Sequence, residues 1–279
     1  MALTAYNHVP LPSFMYGTAW KKDATTQLVQ LAVAAGFRAI DTANQLIHYQ
    51  EALVGEALQA LAKQGISRET LFLQTKFTPT NGQDHRTPYD ASADLTTQVN
   101  QSFDSSLAHL HTDYVDSYVL HGPYSRYSLG DADREVWTAM EALYQARKTK
   151  MIGISNVTAV QITQLCAEAT VKPMVVQNRC YVALGWDKEV REICQSQGII
   201  YQGFSLLTAN RDVLADPEVR AIAKRLGTGP AQVIFAFAMH IGMLPLTGTT
   251  NSQHMKEDLQ AEQLTLSTED IQRIETIGM

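Results

Sequence analysis

The stretch AIDTANQLIHYQEALVGEAL, Ala39 to Leu58, decides the fold. It begins as a short apolar run, AIDTA (39–43), and ends in an amphipathic segment whose apolar residues recur at helical spacing. A strand that feeds a helix through a loop is one βα unit. The connection nevertheless holds an acid, an imidazole and a phenol, Asp41, His48 and Tyr49, which a bare turn has no need of.

Outward from this unit the same alternation repeats along the chain. Seven more strand-like runs appear: FMYGTA (14–19), LFLQTKF (71–77), YVDSYVLHG (114–122), MIGISN (151–156), MVVQNR (174–179), IIYQGFS (199–205) and MLPLTGT (243–249). Amphipathic segments such as TTQLVQLAVAAGF, EALVGEALQALAKQG, DADREVWTAMEALYQARK and DKEVREICQSQG lie between them, several closing on the glycine that helix ends favour. Eight strands with eight helices predict an α/β protein built as a closed (β/α)₈ TIM barrel. An open doubly wound sheet is the competing arrangement, but no GxGxxG follows the first strand. No linker rich in Pro, Gly or Ser divides the chain, so residues 1–279 are expected to form a single domain.

Composition narrows the function. The chain has 279 residues, 45 % of them hydrophobic, enough for a sizeable core. Its 22 Lys and Arg against 28 Asp and Glu give a net charge of −6 without a basic block, which argues against a nucleic-acid or anionic-membrane partner. A small-molecule substrate is the expectation. Cys166, Cys180 and Cys194 lack metal-ligand spacing and read as reduced packing residues, and no metal site is expected. The start of the chain lacks a basic region followed by an apolar run, and no long apolar stretch follows, so a cytoplasmic protein is expected.

In a (β/α)₈ barrel, reactive groups gather at the C-terminal strand ends, where the loops converge on one mouth. Asp41 lies near the end of the second strand with Tyr49 in the loop behind it. Lys76 ends the third strand, His121 the fourth, Ser155 and Asn156 the fifth, and Gln177 the sixth. Singly, each has a plain structural reading: Asp41 as a helix cap, Tyr49 as a half-buried aromatic, Lys76 as a side chain reaching solvent, His121 as a satisfied core histidine. Jointly they are harder to dismiss. A lysine in LFLQTKF and a histidine in YVLHGP interrupt apolar strands, and buried charge is costly unless paired. Asp41 is the natural counter-ion for Lys76.

The motifs GTAW near the start, GFRAIDTA, LFLQTKF, DYVDSYVLHGP, MIGISNV and PMVVQNR, in order and across nearly the whole chain, resemble the aldo-keto reductase superfamily. The resemblance implies a barrel that binds an extended nicotinamide dinucleotide without a Rossmann motif. It also implies a catalytic tetrad, carried over as Asp41, Tyr49, Lys76 and His121. In the commoner family pattern the tyrosine follows the aspartate more closely, and that slot here is Leu46; the longer loop has Tyr49 as its one phenol, with His48 beside it.

This set suits carbonyl reduction. Hydride addition leaves a developing alkoxide, so a proton donor must lie within hydrogen-bond reach of the oxygen. A free phenol donates slowly, and an ammonium at Lys76 held by Asp41 is expected to lower its pKa. His121 would orient the carbonyl and share the proton.

The cofactor side follows from the same resemblance. Gly17 and Thr18 join Asp41 at the start of the site. Ser155, Asn156 and Gln177 would meet the carboxamide, and Phe204 would stack on the ring where the family usually has a tyrosine. Ser205, Leu206, Leu207 and Thr208 would line the pyrophosphate. Around the last strand, Thr247, Gly248, Thr249, Thr250 and Asn251, followed by His254, Glu257 and Asp258, would hold the adenosine end. Many relatives place Lys and Arg there to grip a 2′-phosphate; this chain offers neither at once, only a helix start near Asn251 with His254 and Lys256. NADPH is the expected cofactor, with NADH possible. Trp20, His48, His121 and Tyr124 are the expected contacts to a small-molecule carbonyl substrate, and Tyr181 is a further aromatic candidate. The chain stops soon after IQRIETIGM, so an open pocket is expected. A monomer is favoured.

Two other functions share some of these residues. A Schiff-base aldolase would use Lys76 but leaves Tyr49, His121 and Ser155 to Gln177 unexplained. A non-catalytic nicotinamide-nucleotide-binding regulatory subunit would keep the barrel and the cofactor alone.

Overall fold

The computed structural model describes residues 3–277. Eight parallel strands close into a barrel in the order β10-β3-β4-β5-β6-β7-β8-β9. A short antiparallel pair precedes it, Leu3–Thr4 (β1) with Pro10–Leu11 (β2). The barrel strands are Met15–Gly17 (β3), Ala39–Asp41 (β4), Phe72–Phe77 (β5), Ser117–Leu120 (β6), Ile152–Ser155 (β7), Val175–Arg179 (β8), Ile200–Phe204 (β9) and Met243–Thr247 (β10). Helices Thr25–Ala35 (α1), Glu51–Lys63 (α2), Leu95–Leu110 (α3), Asp131–Gln145 (α4), Ala159–Glu168 (α5) and Lys188–Gln197 (α6) each return the chain to the next strand.

The expected eight strands are all present but shorter. The run expected over 114–122 pairs only at 117–120, apart from a single bridge between Val115 and Thr149. The run expected over 243–249 ends at Thr247, which leaves Gly248 and Thr249 in the loop at the mouth. Ten α-helices, rather than eight, occur among the described residues. Between β9 and β10 the chain makes two, Pro217–Leu226 (α7) and Pro230–His240 (α8), and Ser252–Gln260 (α9) and Thr268–Thr276 (α10) follow β10.

Local sequence accounts for these ends. Gly227 sits at φ 65°, a left-handed residue that ends α7, and Pro230 opens α8 with a ring preset to helical φ. Thr158 with Gln161 and Ser267 with Asp270 form reciprocal capping boxes on α5 and α10. α8 is apolar almost throughout, since it wedges against the barrel wall: Phe235 meets Phe14 edge-on at 4.8 Å and Phe237 meets Trp186 at 5.1 Å. At Gly55 a Cβ would fall 1.8 Å from the carbonyl oxygen of His109, so only glycine lets α2 lie this close to α3.

The β1–β2 pair lies at the opposite end from the site. Tyr6 donates its hydroxyl to the carbonyl of Lys172 and its amide to that of Gly198, both just upstream of β8 and β9. The N-terminal strand ends are thereby covered, and the C-terminal ends are left open.

Candidate active site

A cavity of about 870 Å³ opens at the C-terminal end of the barrel. Asp41, His48, Tyr49 and His121 line it together with Ser155, Asn156 and Gln177. Residues 80 positions apart in sequence thus share one wall because parallel strands put all their ends on the same side.

The centre of the site is an ion pair. Lys76 is fully buried, and its Nζ lies 2.7 Å from both carboxylate oxygens of Asp41 and 2.8 Å from the carbonyl of Thr42. All three N–H donors of the ammonium are engaged. Burial lowers the Lys76 pKa, and the Asp41 charge opposes that shift. Lys76 itself does not line the cavity, so a carbonyl compound in the cavity does not meet a free amine, and the aldolase reading loses its nucleophile.

Tyr49 packs beside this pair. The Lys76 ammonium stands 5.2 Å from the centroid of its ring, and the His121 ring lies edge-on at 5.8 Å. Burial, followed by the Asp41 charge, pushes the phenol well above its ordinary pKa. This corrects the expectation that Lys76 lowers it: the ammonium is paired with Asp41 at contact distance, and burial with the Asp41 charge outweighs it. The phenol is therefore held as a neutral acid.

The loop that carries Tyr49 is pinned by amide side chains. Asn44 donates to the carbonyl of Ser102 (3.1 Å), Gln45 to that of Gly82 (2.7 Å), and Gln83 donates back to the carbonyl of Asn44 (2.9 Å). The His48 ring packs against Trp20 at 4.2 Å, tilted by 49°, and the Trp20 amide donates to the His48 carbonyl (2.7 Å). Trp20, 65 % exposed, forms an apolar rim on the cavity.

His121 Nδ1 lies 2.7 Å from the Thr78 hydroxyl. Burial, then the charge on Lys76 and the ring of His48, lower its pKa to about 3. The imidazole is neutral at any ordinary pH.

On the far wall Ser155 donates its hydroxyl to the carbonyl of Gln177 (2.6 Å), and Asn156 Nδ2 donates to the carbonyl of His121 (2.8 Å). Gln177 Nε2 donates to Asp41 Oδ1 (3.1 Å) and to Gln202 Oε1 (3.0 Å). The cavity continues past Phe204, Ser205, Leu206, Leu207 and Thr208 and ends against Thr247, Gly248, Thr249, His254, Glu257 and Asp258, with Gly17 on the near side. Asp258 accepts from the Thr247 hydroxyl (2.8 Å), and burial raises its carboxyl to about 6.

Besides Lys76, six expected residues lie off the cavity wall. Thr18 is buried and gives both its amide and its hydroxyl to the carbonyl of Asp41, which makes it a pin for the strand end. Asn251 caps α9, its side chain accepting from the amides of Gln253 (2.8 Å) and His254 (3.3 Å), so these donors are already satisfied. Thr250 is an exposed residue ahead of that cap. Tyr124 is half-buried, with its amide bound to Asp133, and stands outside the lining. Tyr181 is likewise outside it, with its hydroxyl accepting from Arg179 (3.3 Å). Lys256 does not reach the cavity, and His254 does.

Sequence reading missed several wall residues. Lys21 donates its ammonium to the carbonyl of Gly248, directly across the cavity mouth from its own loop. Arg179 stands 5.6 Å over the Phe204 ring, and Gly229 to Gln232 at the start of α8 close one side. The lysine directly after GTAW, and an arginine ending MVVQNR, were the available signals.

The Aldo/keto reductase family model matches residues 13–278. The chain belongs to the aldo-keto reductases. It is an oxidoreductase, and the family acts on small-molecule carbonyl compounds with nicotinamide cofactors. The chain is 30 % identical over 279 residues to the oxidoreductase YtbE of Bacillus subtilis, covering 99 % of this chain and 92 % of the relative. It is also 30 % identical over 276 residues to the glyoxal reductase of the same organism, covering 98 % and 91 %. An aldo-keto reductase from Brucella melitensis superposes with a TM-score of 0.85 at 27 % identity, covering 99 % of each chain. No helix among the described residues is long and apolar enough to cross a membrane.

Proposed function

We propose that this aldo-keto reductase reduces aldehydes or ketones with NADPH, NADH being the weaker partner, and that Tyr49 donates the proton. One observation carries the reading: Asp41, Tyr49 and His121 meet at the same end of the cavity as the Ser155–Asn156–Gln177 wall. Acid and cofactor site are thus adjacent, as the reaction requires.

The residues suit a nicotinamide. Gln177 has both N–H groups engaged inward and keeps Oε1 free of bonds from any described residue, an acceptor suited to the amino group of a carboxamide. Phe204 supplies an aromatic face along the same wall. When bound, the reduced nicotinamide supplies the hydride.

The rest is done by this chain. Neutral Tyr49 and neutral His121 lie side by side and can both hydrogen-bond a carbonyl oxygen. With the Thr78 hydroxyl donating to Nδ1, His121 presents Nε2–H to the cavity and orients the substrate. Tyr49 then releases its proton to the developing alkoxide, and Lys76, held by Asp41, faces the phenolate that remains. Trp20 and His48 form an apolar, aromatic rim that favours aryl or medium-chain carbonyl compounds.

Lys21 and His254 are the basic groups at the adenosine end, opposite a glycine at 248. They support a phosphate grip that is present but weak. The deciding experiment follows the loss of reduced-nicotinamide absorbance over a panel of aldehydes and ketones, once with NADPH and once with NADH. Turnover faster with NADPH supports the reading. Tight binding of either cofactor with no turnover of any carbonyl compound contradicts it in favour of a regulatory subunit.

A further inference from the structure

Beneath the cavity the barrel lumen departs from its usual filling of branched apolar side chains. Gln74 on β5 and Gln202 on β9 are both fully buried and meet across the lumen. Gln74 Nε2 donates to Gln202 Oε1 (2.8 Å), and Gln202 Nε2 donates back to Gln74 Oε1 (3.0 Å). The other N–H of Gln74 goes to Asp41 Oδ1 (2.8 Å).

The polarity of each amide follows from Asp41. A carboxylate only accepts, so the atoms of Gln74 and Gln177 that touch it are nitrogens. Each of those nitrogens has one N–H left, and both of these point to Gln202, which must answer with its oxygen. Both lone pairs of Gln202 Oε1 are then filled. Gln177 is held by one nitrogen from two directions, by Asp41 at 3.1 Å and by Gln202 at 3.0 Å. Asp41 settles which end of the Gln177 amide turns inward, and Gln202 settles its plane.

Apolar side chains would fill this space without the desolvation that buried amides carry. Gln202 does not line the cavity, and its side chain makes no hydrogen bond to Asp41, Tyr49, Lys76 or His121. Its direct hydrogen bond to the cavity wall is to Gln177, and a second, indirect route runs through Gln74 to Asp41.

We infer that Gln202, backed by Gln74, is a positioning residue that aims Gln177 Oε1 into the cavity, so that the site selects a pyridine ring whose substituent carries an N–H donor. This rests on the nicotinamide reading above. Gln202 acts on the cofactor through the direction of that one oxygen.

The test compares binding of NADP⁺ with that of its 3-acetylpyridine analogue, in which a methyl replaces the amino group, by calorimetric titration. The parent is expected to bind NADP⁺ about tenfold more tightly, the worth of one neutral hydrogen bond. In the double variant Gln74→Met/Gln202→Met the ratio should fall to about threefold or less, with affinity for the analogue unchanged, because Gln177 is free to turn about its remaining bond. The single variant Gln202→Asn, which keeps an amide but withdraws it by one methylene, should lose the same discrimination if the double variant fails to fold. A merely structural role would weaken both ligands equally. A ratio unchanged in the variants, or a ratio of one in the parent, overturns the inference; failure of the parent to bind either dinucleotide overturns the nicotinamide reading instead.

Discussion

Lys76 Nζ lies 2.7 Å from each carboxylate oxygen of Asp41, and the lysine has no exposed surface. Removing one partner leaves the other as an uncompensated buried charge. Lys76→Met is expected to destabilise the fold by about 3–5 kcal/mol in urea unfolding, and Asp41→Asn added to it should recover part of that loss. The same variant should cripple reduction. Borohydride treatment of the parent with substrate should leave no adduct on Lys76, and a mass increase matching a reduced imine would restore the aldolase reading.

His121 makes acid stability depend on pH. Its pKa in the folded chain is about 3, below its ordinary 6.5. Between these values the unfolded chain binds a proton that the folded chain refuses, so stability falls as pH drops through that window. His121→Asn should flatten this slope. Urea midpoints measured for parent and variant from about pH 4 to 7 check it, and parallel curves would contradict it.

Asp258 has the opposite sign. Burial raises its carboxyl from 3.8 to about 6, so the stability it gives below 3.8 is lost as pH rises through 6. Asp258→Asn should stabilise the chain above about pH 6 by up to about 3 kcal/mol and leave it unchanged below about pH 4. Thermal unfolding at the two extremes distinguishes this from a general gain.

The end of the cavity proposed to hold the adenosine has two basic residues, Lys21 and His254, beside the acidic Glu257 and Asp258. Gly248 offers no side chain, and the amides of Gln253 and His254 already serve the Asn251 cap. Preference for NADPH over NADH should therefore be modest, about tenfold to a hundredfold, and should shrink with salt because an exposed phosphate is screened. Replacing His254 with Arg should sharpen it through a charge-assisted pair. Dissociation constants for both cofactors at low and high ionic strength decide the matter, and equal affinities throughout would mean that no phosphate site exists.

Charge out of place made much of the site readable in sequence. Asp41, Lys76 and His121 each break an apolar run, and the barrel rule says which end of the strand each occupies. Gln74 and Gln202 gave no such signal, since an amide in a strand is unremarkable until barrel closure sets β5 and β9 across one lumen. Lys21 escaped for a related reason: its partner, Gly248, becomes a neighbour only when β10 pairs with β3. Asn251 was ambiguous because a helix cap and a phosphate cradle share one signature. The extra helix α8 hid because an all-apolar segment has no period to read.

The central claim is that Tyr49 donates the proton. The most direct measurement is single-turnover carbonyl reduction by Tyr49→Phe beside His48→Phe, with cofactor affinity determined for both. Tyr49→Phe should lose about a hundredfold to ten-thousandfold in rate while binding cofactor almost as the parent does, and His48→Phe should keep most of its rate. Parental rates in Tyr49→Phe, with the loss falling on His48→Phe instead, would contradict the account.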